Sequence, residues 1–184
     1  MLTKQEEKLM ELDIRKADLN QAEAVMGFYY DLIDSMRNFE FRPLWEKDVY
    51  PTRQFIYNSI KNNELFIATN DRVIMGSMIM NHICADEYSK APWKVSAKND
   101  ETMIIHALAV LPICQGAGIG MKMVDYAIKH CKDSNMKAIR LDVLLPNKPA
   151  HKLYAKMGFA YIGKIQLFYE DTGLADFLLY ELGL

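Results

Sequence analysis

Leu108-Ala109-Val110-Leu111-Pro112-Ile113-Cys114-Gln115-Gly116-Ala117-Gly118-Ile119-Gly120 decides how this chain folds. It closes an apolar run, residues 102–111, that reads as a buried strand, and Pro112 lacks the N–H that further strand pairing would need. Glycines then stand at 116, 118 and 120, at the entrance to a helix. Glycine adopts positive φ freely and lets a ligand come close to the backbone. A helix start adds unpaired N–H groups and the positive end of the helix dipole. Together these make a cradle for a pyrophosphate that needs no basic side chain. The details argue against two other phosphate binders. A P-loop requires Gly-Lys-Ser/Thr, whereas Gly120 is followed by Met121-Lys122-Met123. A dinucleotide fingerprint spaces its glycines Gly-x-Gly-x-x-Gly, whereas here the spacing is Gly116-x-Gly118-x-Gly120. A tight turn that binds nothing stays open at this level.

Working outward, the helix opened by Gly116–Gly120 runs to about His130. Ile119, Met123, Val124, Ala127 and Ile128 face a core, and Lys122, Asp125, Lys129 and Lys132 face water. Residues 138–145 read as a further apolar strand, and 148–157 as a short helix stopped by Gly158 at a position requiring positive φ. Residues 159–167 and 177–182 read as two closing strands around the polar turn Glu170-Asp171-Thr172-Gly173. Upstream, residues 11–16 read as a first strand. Asp18 or Asn20 caps a helix carrying Ala22, Val25, Met26, Tyr29, Ile33 and Met36 at helical spacing. Residues 39–51 read as loop, and 52–61 as a second helix with Phe55, Ile56 and Ile60 on its apolar side. Residues 65–69 and 73–81 form an antiparallel hairpin around Asn70-Asp71. The polar connection 82–100, holding Tyr88, Pro92 and Trp93, has the length of a functional lid. The strand–helix–strand–helix middle implies a parallel pair and the flanks imply antiparallel ones. The predicted fold is therefore α/β (α+β), a mixed, mostly antiparallel sheet with helices on both faces.

With no repeat, low-complexity stretch or long linker, residues 1–184 read as a single domain. A formal net charge of −2 argues against a partner such as nucleic acid, which is bound by neutralising phosphates. No targeting or membrane-spanning segment is expected, since Met1–Lys8 is polar and charged and no apolar run approaches about 18 residues. Cys84, Cys114 and Cys131 are odd in number and widely spaced, which suits reduced thiols in a cytoplasm rather than a disulfide framework or a zinc site.

Gln115-x-x-Gly118-x-Gly120 after Leu108-Ala109-Val110 resembles the acetyl-CoA motif of Gcn5-related N-acetyltransferases (the GNAT family). A second block, Asn147-Lys148-Pro149-Ala150-His151-Lys152-Leu153-Tyr154-Ala155-Lys156-Met157-Gly158-Phe159, is similar to that family's downstream pattern. The resemblance is sharp from about Ile104 to Phe159. It implies a GNAT fold and acetyl-CoA as the acyl-donor cosubstrate. It also implies transfer of an acetyl group to a primary amine of a small molecule or peptide, by direct attack. By position, the backbone of Leu108 and Val110 would pair with the pantetheine arm. The N–H groups of Gln115, Gly116, Ala117, Gly118, Ile119, Gly120 and Met121 would hold the pyrophosphate. Asn147 would reach the cofactor arm from the other side, and Tyr154 would sit near the thioester sulfur as the acid for the leaving thiolate. No metal is implied.

The base is less defined. Many relatives carry Glu two residues before the position of His106, where this chain has Ile104. His106 shares even parity with Leu108 and Val110, so strict alternation puts all three on one side. An imidazole suits a proton relay at neutral pH. The segment His106-Ala107-Leu108-Ala109-Val110 also resembles the strand of arylalkylamine N-acetyltransferases, where histidines are implicated. A core histidine bonded to a carbonyl is the other reading. Glu101 and Asp142 are lesser candidates for the base, Asp142 as a residue facing only a helix end. His130 and His151 read as surface residues, and His82 begins the lid. Tyr29, Tyr30, Phe39, Trp45, Tyr50, Tyr88 and Trp93 are candidate acceptor walls, and Glu40, Glu46 and Asp48 candidate attractors of a cation. A non-catalytic acyl-CoA sensor, a dinucleotide enzyme and an interaction module remain alternatives. The C-terminal strands would suit a homodimer.

Overall fold

The computed structural model describes residues 12–71 and 73–184; the expected strand residue Glu11 and the charged stretch at Met1–Lys8 lie outside them. The chain runs β1 (Asp13–Lys16), α1 (Ala22–Met36), α2 (Arg53–Lys61), β2 (Leu65–Asn70) and β3 (Val73–Asn81). It continues through β4 (Thr102–Val110), α3 (Ile119–Asp133), β5 (Ala138–Leu144), α4 (Lys148–Lys156), β6 (Ala160–Tyr169) and β7 (Gly173–Gly183). Asp18 does not cap α1 directly. It opens a short 3-10 turn, Leu19–Gln21, and its N–H donates to Gln21 Oε1 at 3.0 Å. Thr52 does cap α2, accepting from Phe55 N at 3.0 Å. The last two strands are longer than their apolar runs because this hairpin keeps polar residues in register, with Lys164 bridging to Asp176 at 2.9 Å.

One seven-stranded sheet, in the order β1-β2-β3-β4-β5-β7-β6, is antiparallel at every seam except β4–β5. Alternation along the strands sends Phe66, Ala68, Met78 and Met80 to one core with Met123, Val124 and Ala127 of α3. Leu65, Ile67 and Ile79 go to the other core, with Val25, Tyr29, Leu32 and Ile56 of α1 and α2. Helices thus cover both faces, as the pattern predicted.

Strand β4 breaks its own alternation. Met103 and Ile105 belong to the α3 core, yet Ala107 and Ala109 belong to the α1–α2 core. Between Ile79↔His106 and Ser77↔Ala109, β4 holds one residue more than β3, a β-bulge. Ala107 takes φ 49°, unusual for a residue with a Cβ. The buried Tyr29 hydroxyl braces the bulge by donating to Ala107 O at 2.9 Å. The expected shared side of His106, Leu108 and Val110 is therefore wrong. His106 packs against Phe55 of α2, with ring centres 6.5 Å apart, while Leu108 and Val110 turn to the α3 face.

The parallel seam is short. Only Thr102↔Ala138, Met103↔Ile139 and Ile104↔Arg140 pair, and beyond them β4 and β5 part. Leu111 N–H donates to Met75 O at 3.0 Å, which fixes the phase of the β3–β4 ladder. By the antiparallel alternation the N–H and C=O of Val110 then point away from β3, into the gap.

Candidate active site

A cavity of about 420 Å³ lies in this gap, lined by Leu108, Val110, Asn147 and Tyr154 and by Gln115, Gly116 and Gly118–Met121. Every expected cofactor residue lines it except Ala117. Gly116 (φ 81°) and Gly118 (φ 80°) make the turn, and α3 starts at Ile119. Lys122 N–H is the first to reach a carbonyl, Gly118 O at 3.0 Å, so the N–H groups of Ile119, Gly120 and Met121 are those a helix start leaves unpaired. Gln115 Nε2 donates to Val110 O at 3.3 Å, tying the loop to the strand end. Asn147 caps α4, its side-chain oxygen accepting from Ala150 N at 3.3 Å, which leaves the amide N–H₂ for a ligand. These groups suit a pantetheine arm lying along β4 with its pyrophosphate on the α3 N-terminus.

A second cavity of about 360 Å³ shares Trp45, Leu108, Asn147, Ala150 and Tyr154 with the first. It opens on the other side of the gap and receives Tyr50, Phe55, His106, Asp142, Tyr169 and Asp171. Tyr154 belongs to both. Its ring is fixed edge-on against Phe159 at 5.3 Å, and burial raises its pKa, so the phenol stays protonated at neutral pH. His106 Nε2 stands 2.9 Å from Asn81 Oδ1. Burial pushes its pKa down to about 4, against an opposing hydrogen bond with the Ile83 backbone, so the imidazole is neutral at pH 7. Asp142 does not face a helix end. Tyr88 and Tyr169 both donate to its Oδ1, at 2.7 and 3.3 Å, and desolvation raises its pKa.

Other candidates fall away from the gap. Glu101 pairs with Lys137 at 2.7 Å. His82 meets Thr102 O at 2.8 Å, His130 stacks on Tyr126, and His151 meets the Tyr180 hydroxyl at 3.0 Å. Tyr29 is core, Phe39 is exposed, and Tyr30 donates to Asp48. Glu40, Glu46 and Asp48 do not line the acceptor-side cavity. The connection 82–101 is pinned rather than loose. Lys94 and Val95 N–H donate to Glu181 Oε2 at 2.8 and 3.0 Å, and Arg140, bonded to Glu181 at 2.9 Å, donates to Val95 O and stacks on Trp93. Tyr88, an expected acceptor wall, acts instead through Asp142, and Asp171, in what read as a plain polar turn, is a lining residue that local sequence did not announce.

The model of the Acetyltransferase (GNAT) family matches residues 30–159, most of the chain, and the chain belongs to that family. It is 24% identical over 108 residues to a Bacillus subtilis (strain 168) protein named as an uncharacterized N-acetyltransferase, YesJ. The match covers 59% of this chain and spans only 59% of the length of that curated relative. The fold matches a GNAT-family acetyltransferase from Streptococcus agalactiae 2603 with a TM-score of 0.78 at 19% identity, covering 94% of this chain and 95% of that one. It also matches YncA of Salmonella typhimurium, solved with its cofactor acetyl-CoA, at a TM-score of 0.69 and 15% identity over 94% of each chain. Among the described residues no helix is long and apolar enough to cross a membrane, and no group of His, Cys, Asp and Glu is placed to hold a metal.

Proposed function

We propose that the protein is an acetyl-CoA-dependent N-acetyltransferase that moves the acetyl group directly to a primary amine. One observation carries this. Two cavities, one presenting backbone donors and one presenting side chains, meet at Tyr154 where β4 and β5 part. A sensor of acyl-CoA has no use for the second cavity.

Backbone N–H groups at the glycine turn and the Asn147 amide would hold acetyl-CoA in the first cavity, where it would supply an acetyl thioester. Val110 N–H is the donor for the oxyanion. A neutral amine attacks the carbonyl, the C–N bond forms and the C–S bond breaks. Tyr154 gives its proton to the leaving thiolate and is reprotonated from solvent. His106 takes the proton shed by the amine through water and passes it outward. Cys84 lines the acceptor cavity, but burial raises its thiol pKa, which disfavours a covalent acetyl-cysteine route. Three free thiols support a cytoplasmic location.

Thermal melting with acetyl-CoA, CoA, NAD and ATP tests the reading. A ligand at about 100 times its dissociation constant adds roughly 2.7 kcal/mol, so acetyl-CoA and CoA should raise Tm and the controls should not. A shift with NAD alone, or with none of the four, sinks it.

A further inference from the structure

Several of this protein's described carboxylates have a cationic partner. Asp34 meets Lys47 and Arg37, Glu101 meets Lys137, and Asp176 meets Lys164. The buried Glu181 has Arg140. Among the described residues, the carboxylates of the acceptor cavity have none. It contains Asp142 from β5 and Asp171 from the β6–β7 turn, and neither Lys nor Arg is among its described lining residues. The groups that bear on Asp142 are all neutral: the Tyr88 and Tyr169 phenols and its own backbone. Both phenols donate to Oδ1, and among the described residues no side chain reaches Oδ2. Tyr50 packs between Trp45 and Phe55, and among the described residues its hydroxyl has no hydrogen-bond partner although burial surrounds it. The cavity therefore offers a carboxylate and a phenol, both half-buried and neither matched by a cation among the described residues, beside the apolar walls Phe55, Leu144 and Phe177. An enclosed negative charge held only by neutral donors is left for a cation to complete.

We propose that Asp142 Oδ2 is the receptor for the acceptor's ammonium group, with Asp171 as a second carboxylate above it, so that the acceptor is a small primary amine on an apolar or aromatic body with no carboxylate of its own. This rests on the acetyltransferase reading and names its substrate class. An α-amino acid would bring its carboxylate against Asp142 and Asp171 with no Lys or Arg in the lining to receive it. The repulsion, together with the unpaired charge, discriminates against it. Tyr88 is a positioning residue here. By occupying Oδ1 it turns Oδ2 to the chamber, and it ties the pinned connection 82–101 to acceptor binding. Asp142 binds the ammonium and His106 carries its proton away, so recognition and deprotonation are separate tasks on β5 and β4.

The test measures initial rates at saturating acetyl-CoA with two matched pairs, 2-phenylethylamine against phenylalanine and pentylamine against norleucine. Each amine should exceed its amino acid by about 100-fold in kcat/KM. Asp142→Asn should raise the amine KM at least about tenfold and leave the acetyl-CoA KM within about twofold. Tyr88→Phe should raise the amine KM less. Asp171→Asn, on the half-buried β6–β7 turn, serves if Asp142→Asn does not fold. Equal rates for amine and amino acid, or an amine KM unmoved in both Asp variants, overturn the site. Acetyl-CoA binding without turnover of either amine overturns the substrate class. No acetyl-CoA binding at all overturns the acetyltransferase reading, and this site with it.

Discussion

On the donor side of the β4–β5 gap, the backbone groups facing the cavity come from residues 108–121, with Asn147 and Tyr154 beside them and an apolar wall added by Leu32, Met36, Phe41 and Trp45. On the acceptor side they come from the 43–50 loop, α2, β4, the 82–101 connection, β5, α4 and the β6–β7 turn. The first side works through backbone N–H groups, which any residue supplies if the chain is bent correctly. The second works through side chains brought together over long separations, such as Tyr88 and Asp142, 54 residues apart. A cofactor common to many enzymes can be held by geometry. A particular acceptor has to be chosen by side-chain chemistry.

The largest test of this division is Tyr154→Phe, because Tyr154 alone of the proposed chemical groups belongs to both sides. A lost acid should lower kcat by about 10²-fold or more while leaving acetyl-CoA affinity and amine KM nearly unchanged. Steady-state kinetics beside a binding titration would show it. A fall in acetyl-CoA affinity instead would make Tyr154 a packing residue of the donor side.

The next effect isolates the acceptor side by pH. Burial holds His106 at about 4 instead of 6.5, so the folded chain binds fewer protons than the unfolded chain between those values. Its neutral burial is fully tolerated above pH 6.5, and stability is lost as pH falls from 6.5 to about 4, by roughly 3 kcal/mol at most. Melting wild type and His106→Gln across that range should show wild type losing more on acidification. A difference between them that does not vary with pH would remove His106 from the enclosed position. The smallest effect belongs to the donor side alone. Gly118 has φ 80°, and a Cβ there meets nothing closer than Met121 Cε at 3.7 Å, so Gly118→Val strains conformation rather than packing. A strain of about 1–2 kcal/mol should weaken acetyl-CoA binding roughly tenfold, read by calorimetry, with amine KM unmoved. A matching rise in amine KM would mean that the two sides are not separable.

The same contrast explains what could be read in advance. The strand, glycine turn and α3 were legible because strand burial, positive φ and helix capping are local demands that residues 102–120 display side by side. The helices on both faces followed from apolar spacing. The bulge was not legible. Ala107 carries no mark of a positive φ, and the hydroxyl that braces it lies on Tyr29, 78 residues earlier. Missing it put His106 on the wrong side of β4. Asp142 stood only as a lesser base candidate and Asp171 as turn polarity, because a carboxylate's surroundings come from distant parts of the chain. Length alone suggested a lid over residues 82–100, and it could not show that Arg140 and Glu181, far along the chain, fasten the segment.

The three-pair seam between β4 and β5 has a mechanical consequence. Elsewhere the sheet is stitched along most of each strand, so a load applied across it would concentrate at this line, as along the perforation in a page. A donor whose arm lies along β4 and is gripped by α4 spans the tear and acts as a splint. The protein should then resist stretching and amide exchange most differently, with and without its cosubstrate, along the very line where the reaction is proposed. Occupancy by the donor becomes a stiffness that the second half of the molecule can feel before any acceptor arrives.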